Sequence, residues 1–205
     1  MCHADQRDAL WEFKSEFHLN GMTASEKTLR WRNNTDCCSW NGITCDPKTG
    51  NVAELKLLGS SLNGSLRSKS ILFRLQHLQI LDLSSNNFAG ILPDSIGNLK
   101  NLRVLKLIEC NLFGKLPSSL GNLSYLTHLY LGGNDFTGEL ILFSHLMSVS
   151  LVHLSASCNI SEFPKFLQRQ TSLFYLDISN NQIKGQVPEW LWSLPRLGYV
   201  DFSRN

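Results

Sequence analysis

Apolar residues in this chain fall in groups of the form Leu-x-Leu, each followed by Asn and then by another Leu or Phe. In the clearest copy, Leu78, Leu81 and Leu83 precede Asn86, Phe88, Gly90 and Pro93. Shifted by 24 positions, the same classes return as Leu102, Leu105, Leu107, Cys110, Leu112, Gly114 and Pro117. A further 24 positions bring Leu126, Leu129, Leu131, Asn134, Phe136 and Gly138. Later copies run through Leu173, Leu176, Ile178, Asn181, Ile183, Gly185 and Pro188, and through Leu197, Val200 and Phe202. An earlier, divergent copy is Val52, Leu55, Leu57, Ser60, Leu62, Gly64 and Leu66. The copy between Phe136 and Leu173 is irregular. It is placed to start near Leu151, with Leu154 and Ala156 as its core positions and Asn159 at its turn. The spacing is then 25 residues from Leu126 to Leu151 and 22 from Leu151 to Leu173, so a local defect in curvature is expected over 140–164.

Each part of the unit has a physical role. Leu-x-Leu alternates inward and outward, as a strand must. The Asn turns the chain, and its amide can satisfy main-chain groups of the neighbouring coil. The next Leu or Phe refills the core. A unit of this size buries its apolar side only against its neighbours, so the copies stack into a solenoid. The predicted organisation is a cap over 1–51 followed by about seven repeats over 52–205. Such a stack needs a cap because its end exposes apolar surface. Leu10, Phe13 and Phe17 recur at helical spacing, which predicts a helix from about Asp5 to His18 with Asp5 as N-cap. Trp31 and Trp40 are read as core of this cap.

Composition sharpens the picture. The 205 residues are 42% hydrophobic, enough for a packed core, and 19 basic against 17 acidic residues give a net charge of +2. That balance is too weak for a nucleic-acid footprint or a polybasic membrane patch. No apolar run approaches a membrane span. Four of the six cysteines (Cys2, Cys37, Cys38 and Cys45) lie in the first 45 residues, which points to a disulfide-stapled N-terminal piece. Adjacent Cys37 and Cys38 are poorly placed to bond each other, and without a C-x-x-C spacing a zinc site is not expected. Disulfides imply an oxidising compartment. The first 30 residues nonetheless hold no signal-peptide run, so the sequence reads as part of a longer, secreted product. Cys110 stands at the Asn position of its repeat. Cys110 and Cys158 are read as two repeats apart, roughly 9.5 Å, beyond disulfide reach.

The extended phrase Asn-x-Phe-x-Gly-x-Leu-Pro (Asn86 to Pro93), echoed from Asn181 to Pro188, resembles the plant extracellular leucine-rich repeat. Asp5 to Lys14, Trp31 and Asp-Cys-Cys-Ser-Trp-Asn-Gly-Ile-Thr-Cys (Asp36 to Cys45) resemble the N-terminal cap of that family. The phrases Ser-Cys-Asn-Ile-Ser-Glu-Phe-Pro and Gln-Val-Pro-Glu-Trp-Leu-Trp are similar to those of receptor-like proteins, cell-surface relatives of receptor kinases that lack the kinase. The resemblance implies a right-handed α/β-type leucine-rich-repeat solenoid, cap disulfides Cys2–Cys37 and Cys38–Cys45, and a second short strand at the family's Gly-x-Ile-Pro stretch, here Gly-x-Leu-Pro. It also implies a cell-surface ectodomain that recognises an extracellular peptide or protein ligand in defence or development, with a co-receptor kinase as a possible partner. A secreted inhibitor of microbial polygalacturonases is the alternative on the same repeat.

The chain has no H-E-x-x-H, G-x-S-x-G, P-loop or G-x-G-x-x-G motif, and its six histidines are scattered. No enzyme, cofactor or metal site is therefore expected. Four sequons, at Asn33, Asn63, Asn122 and Asn159, are candidate glycosylation sites, with room expected at Asn63 and Asn122. The outward strand positions should form the binding face, with candidates Lys106, Ile108, His128, Tyr130, His153, Tyr175, Asp177 and Tyr199. One outward column is read as Ile80, Val104, His128, His153, Tyr175 and Tyr199. Aromatic anchors would suit ligand binding. The same residues also suit exposed strand positions for packing alone, so the column admits both readings.

Overall fold

The computed structural model describes residues 1–19, 26–137, 151–153, 163, 167–168, 171–179 and 183–205. The cap opens with helix α1 (Ala4–Ser15), followed by strand β1 (His18–Leu19), helix α2 (Glu26–Leu29) and strand β2 (Ile43–Cys45). The repeats then contribute β3 (Val52–Lys56), β4 (Leu62–Asn63), β5 (Ile80–Asp82), β6 (Val104–Lys106), β7 (Phe113–Lys115), β8 (His128–Tyr130), β9 (Asp135–Thr137), β10 (Leu151–His153), β11 (Tyr175–Asp177), helix α3 (Glu189–Trp192) and β12 (Tyr199–Asp201).

Eight strands form one sheet in the order β12-β11-β10-β8-β6-β5-β3-β2. All its pairings are parallel except β2 against β3, where the cap closes the sheet edge. Leu55, Leu81, Leu105, Leu129 and Leu176 occupy one row across the sheet and are buried, as are Leu57, Leu83, Leu107, Leu131 and Ile178 behind them. On the sequence-distal side of the turns, β7 pairs in parallel with β9, and single bridges join Asn63 to Asn87 and Gly90 to Leu112. This is the second line of short strands that the Gly-x-Leu-Pro stretch implied.

The return segments are mostly 3-10 turns, Ile71–Arg74, Asp94–Asn98 and Ser118–Asn122. Pro93 and Pro117 stand at the N-caps of the last two, each with φ near the proline value (−75° and −69°). Ile96 and Leu120 turn inward from them. Gly97 is required by close approach, since a Cβ there would lie 2.5 Å from the carbonyl oxygen of Ser119 in the next turn.

Helix α1 starts one residue earlier and ends three earlier than the pattern predicts, and its N-cap is His3 rather than Asp5. Asp5 sits inside the first turn, where its charge meets the positive end of the helix dipole without capping it. Leu10 and Phe13 are fully buried, and Phe17 carries the contact onward, edge-on to Phe13 at 5.0 Å and to Phe88 at 5.4 Å. Glu16 Oε1 accepts the Ile71 main-chain N–H at 3.0 Å, tying the end of the helix to the first return turn. Trp31 and Trp40 are buried and stacked 5.0 Å apart; their indole N–H groups donate to the Asn41 carbonyl and to Thr35 Oγ1. Cys2 is bonded to Cys37 and Cys38 to Cys45, each pair with Cα atoms 5.5 Å apart.

Two readings need correction. In the register, Leu151 pairs with His128 and Tyr175, Val152 with Leu129 and Leu176, and His153 with Tyr130 and Asp177. Val152 therefore holds the register position assigned to Leu154, and the repeat begins two residues earlier than read. The strand-to-strand spacings become 23 (129 to 152) and 24 (152 to 176), close to regular. Leu154, Ala156, Cys158 and Asn159 lie outside the described residues. Asp177, expected to face solvent, is buried at 7% exposure. Its short side chain folds back onto the strand end, where Oδ1 accepts the Ser179 N–H at 3.0 Å, and strands flank it on both sides.

Candidate ligand-binding face

The outward positions of the inner strands make two rows. The first is Glu54, Ile80, Val104, His128, Leu151, Tyr175 and Tyr199, and the second is Lys56, Asp82, Lys106, Tyr130, His153, Asp177 and Asp201. His153 thus belongs to the second row and not beside His128 and Tyr175. Ile108 lies beyond the strands at the far side of this face, where its N–H donates to Ser84 Oγ and its carbonyl accepts the Ser85 N–H.

Lys106, His128 and Tyr130 come together on β6 and β8. Lys106 Nζ stands 5.0 Å from the centre of the Tyr130 ring, a cation–π geometry, and the His128 and Tyr130 rings lie 6.5 Å apart and nearly parallel. The Thr127 hydroxyl donates to the Arg103 carbonyl at 3.0 Å and sits 2.8 Å from His128 Nδ1. Its one proton is committed to that carbonyl, so Nδ1 carries the imidazole proton and Nε2 of the neutral ring is an acceptor. Burial, and then the Lys106 charge, push the His128 pKa down, so the ring is held neutral. Burial pushes the Tyr130 phenol up. Sequence reasoning did not single out Thr127; its signal was its place directly before an outward histidine.

Tyr175 and Tyr199 make a second cluster, stacked with ring centres 4.5 Å apart and planes within 4°. Burial, then the nearby Asp177, Tyr199 and Asp201, raise the Tyr175 pKa. The Asp201 carboxyl is held low mainly by the Ser203 main-chain N–H, which it accepts at 2.9 Å. At the cap end the charges are already paired, with Lys56 Nζ 2.6 Å from Glu54 Oε2. Among the described side chains, the face can therefore offer a partner the Lys106 ammonium, the His128 imidazole, the three tyrosine rings of Tyr130, Tyr175 and Tyr199, and the Asp201 carboxylate at the distal end.

Among the sequons, Asn33 and Asn122 are exposed. Asn63, where room was expected, is half-buried, and its Oδ1 accepts from Asn87 Nδ2 at 3.3 Å in a stack that Asn111 extends. Among the described residues, the four cap sulfurs are the one group of metal-ligating side chains that converge, and they are engaged in the two disulfides. Among the same residues no helix is long and apolar enough to cross a membrane.

Residues 3–46 match the leucine rich repeat N-terminal domain, and residues 76–136 and 172–194 match leucine rich repeat families. Receptor-like protein 48 of Arabidopsis thaliana is 50% identical across 100% of this chain and 47% of its own length. Receptor-like protein 47 of the same plant is 41% identical across 100% of this chain and 42% of its own length. The chain spans less than half the length of these relatives. Among solved structures, a plant ice-binding protein superposes with TM-score 0.82 at 27% identity, covering 98% of this chain and 64% of its own. The ectodomain of the Arabidopsis thaliana receptor kinase GASSHO1/SCHENGEN3, in complex with CASPARIAN STRIP INTEGRITY FACTOR 2, superposes with TM-score 0.79 at 29% identity, covering 96% of this chain and 24% of its own.

Proposed function

The chain belongs to the plant leucine-rich-repeat receptor-like proteins, and from that premise we propose that its concave sheet face is a non-catalytic recognition surface for an extracellular peptide or protein ligand. The observation that carries this reading is the gathering of Lys106, His128 and Tyr130 in one cluster and of Tyr175, Tyr199 and Asp201 in another, on the same open face. Aromatic side chains that bury large area at low entropic cost are the usual anchors of protein interfaces. A peptide laid across the strands meets a cation and aromatic rings first, then aromatic rings and the Asp201 carboxylate. The receptor ectodomain with a bound partner among the structural neighbours supports this class of function, and receptor-like relatives favour it over the enzyme-inhibitor alternative. In this reading the module works at the cell surface in defence or developmental signalling, 1–51 caps the repeats of 52–205, and a co-receptor kinase transmits the signal.

Selection of a displayed random-peptide library on the chain tests the proposal. Peptides recovered should lose roughly tenfold or more in affinity on Tyr130→Ala and Tyr199→Ala, as truncation of aromatic anchors does. They should be indifferent to Arg74→Ala, an exposed cation on a return turn. Recovered peptides that ignore both tyrosine variants would show that the concave face is not the recognition surface.

A further inference from the structure

A second concavity lies off the concave face, at the side where the chain leads into β5, β6 and β8. It has a volume of about 430 Å³ and is bounded at one end by the cap turn containing Asp46 and at the other by Tyr125. Its walls include His77, Gln79, Asn101 and Arg103. These come from successive repeats at fixed offsets before each strand, so the solenoid itself aligns them.

The groups divide into a fixed frame and a free set. Asn101 Nδ2 is pinned to the Gln76 carbonyl at 2.7 Å, which leaves its Oδ1 available in a set orientation. Asp46 Oδ1 accepts the main-chain N–H groups of Lys48 and Thr49 and the Thr49 hydroxyl. Those bonds, and last the Lys48 charge, hold the carboxyl low, so Asp46 is an ionised carboxylate whose Oδ1 is occupied within the turn. Among the described residues, the side chains of His77, Gln79, Arg103 and Tyr125 engage no hydrogen bond or ion pair. Tyr125 is 58% exposed, and its phenol ring is the larger of the two aromatic surfaces in the groove, beside the His77 imidazole.

This donor set has a definite chemical preference. The guanidinium of Arg103 is the cation of the groove and has no ion-pair partner among the described residues, and its planar fork suits a carboxylate. Amide and imidazole groups placed around it suit hydroxyls, each as donor or acceptor. An aromatic ring on the wall suits the apolar face of a pyranose ring. An acidic peptide would use the arginine and, through its main chain, the amides, but a run of acidic residues brings no rigid apolar ring face to Tyr125. We propose that this groove is a binding site for a carboxylate-bearing sugar, a uronic-acid unit, separate from the peptide-recognition face.

Calorimetric titration of the chain with the trisaccharide of galacturonic acid, with neutral maltotriose and with triglutamate tests the assignment. The acidic trisaccharide should bind, and maltotriose should bind roughly tenfold more weakly for want of the guanidinium–carboxylate fork. Arg103→Ala should remove that preference, Tyr125→Ala should weaken both sugars severalfold, and Arg74→Ala should change nothing. Both groove side chains are exposed and unpartnered, so unchanged thermal unfolding of the two variants will show that they fold. Equal affinity for the two sugars, no heat for the acidic sugar up to about 10 mM, or an equal loss in Arg74→Ala overturns the proposal. Tighter binding of triglutamate would also overturn it and make the groove an acidic-peptide site. None of these variants touches the concave face, so the outcome is independent of the reading given above for that face.

Discussion

The turns after β5 and β8 are closed by asparagine, and the turn between them, after β6, by cysteine. Asn86 Nδ2 donates to the carbonyls of Leu57, Leu83 and Ser84, and its Oδ1 accepts the Leu62 N–H of the preceding coil. Asn134 repeats the arrangement with the carbonyls of Leu107, Leu131 and Gly132 and the N–H groups of Cys110 and Leu112. Asn205 does the same after β12, donating to Ile178 and Phe202 and accepting from Ile183. Cys110 has a single proton to give. Its Sγ lies 3.3 Å from the Leu83 carbonyl and 3.5 Å from that of Ile108. The Phe88 N–H, which an asparagine oxygen would have accepted, bonds instead to the main-chain oxygen of Cys110 at 3.0 Å. In the first repeat, Ser60 stands at the same position, fully buried, with its Oγ unpartnered. Each side chain thus serves the coil before it as much as its own. One weak member is tolerated because the next asparagine, Asn134, holds the backbone of the cysteine turn.

Asn134→Ala should separate the asparagine turns from the cysteine turn with the largest effect. This strands buried main-chain groups on both coils, and each unsatisfied group costs about 1–3 kcal/mol, so a loss on the order of 4 kcal/mol is expected in urea unfolding. A loss below about 1 kcal/mol would mean that the asparagine ladder is not what joins the coils. Leu107→Ala, on the strand leading into the cysteine turn, should cost roughly 3 kcal/mol as a core truncation. Its neighbour Lys106→Ala, on the open face, should stay within about 0.5 kcal/mol. If the lysine proved the costlier, the inward and outward assignments would be reversed.

Cys110 also gives its turn a pH dependence that the asparagine turns lack. Burial pushes the thiol from its ordinary 9.0 up to about 12. Below pH 9 both folded and unfolded chains keep the proton, and stability is unaffected. Above it the unfolded chain releases the proton while the folded chain keeps it. Stability therefore falls with rising pH, approaching about 1.4 kcal/mol per unit. Denaturation of the chain and of Cys110→Ser between pH 8 and 10.5 should show the steeper decline in the parent; parallel curves would contradict the buried-thiol assignment. An effect of opposite sign is expected from Cys110→Asn, which rebuilds the missing rung. The Leu83 and Ile108 carbonyls already face the site, so a gain of about 1 kcal/mol is expected. A loss would mean that the turn has closed around the smaller side chain.

Much of this architecture was legible as a 24-residue rhythm. Leu81, Leu105 and Leu129 are buried because a short strand packed on one side must alternate, and alternation survives in the letters of the sequence. The cap tryptophans and the asparagine turns follow from residue chemistry in the same way. The candidate face was legible only in part. Lys106, His128, Tyr130, Tyr175 and Tyr199 could be placed by counting, but the carbonyl of Arg103 that fixes the His128 tautomer through Thr127 belongs to another repeat. The groove of Arg103 and Tyr125 escaped notice because its members precede the strands, where no apolar rhythm marks them.

The sequence by itself determined the inward leucines of the regular coils and the turns at Asn86, Cys110 and Asn134. Only the tertiary structure decided the phase of the irregular coil, which pairs His153 with Tyr130 and Asp177 rather than placing it beside His128. The reason is the period of the strand. A slip of one residue moves every side chain to the opposite face and is visible as a broken apolar pattern, whereas a slip of two preserves the alternation. Hydropathy carries no information that separates the two phases, and main-chain pairing between neighbouring strands does.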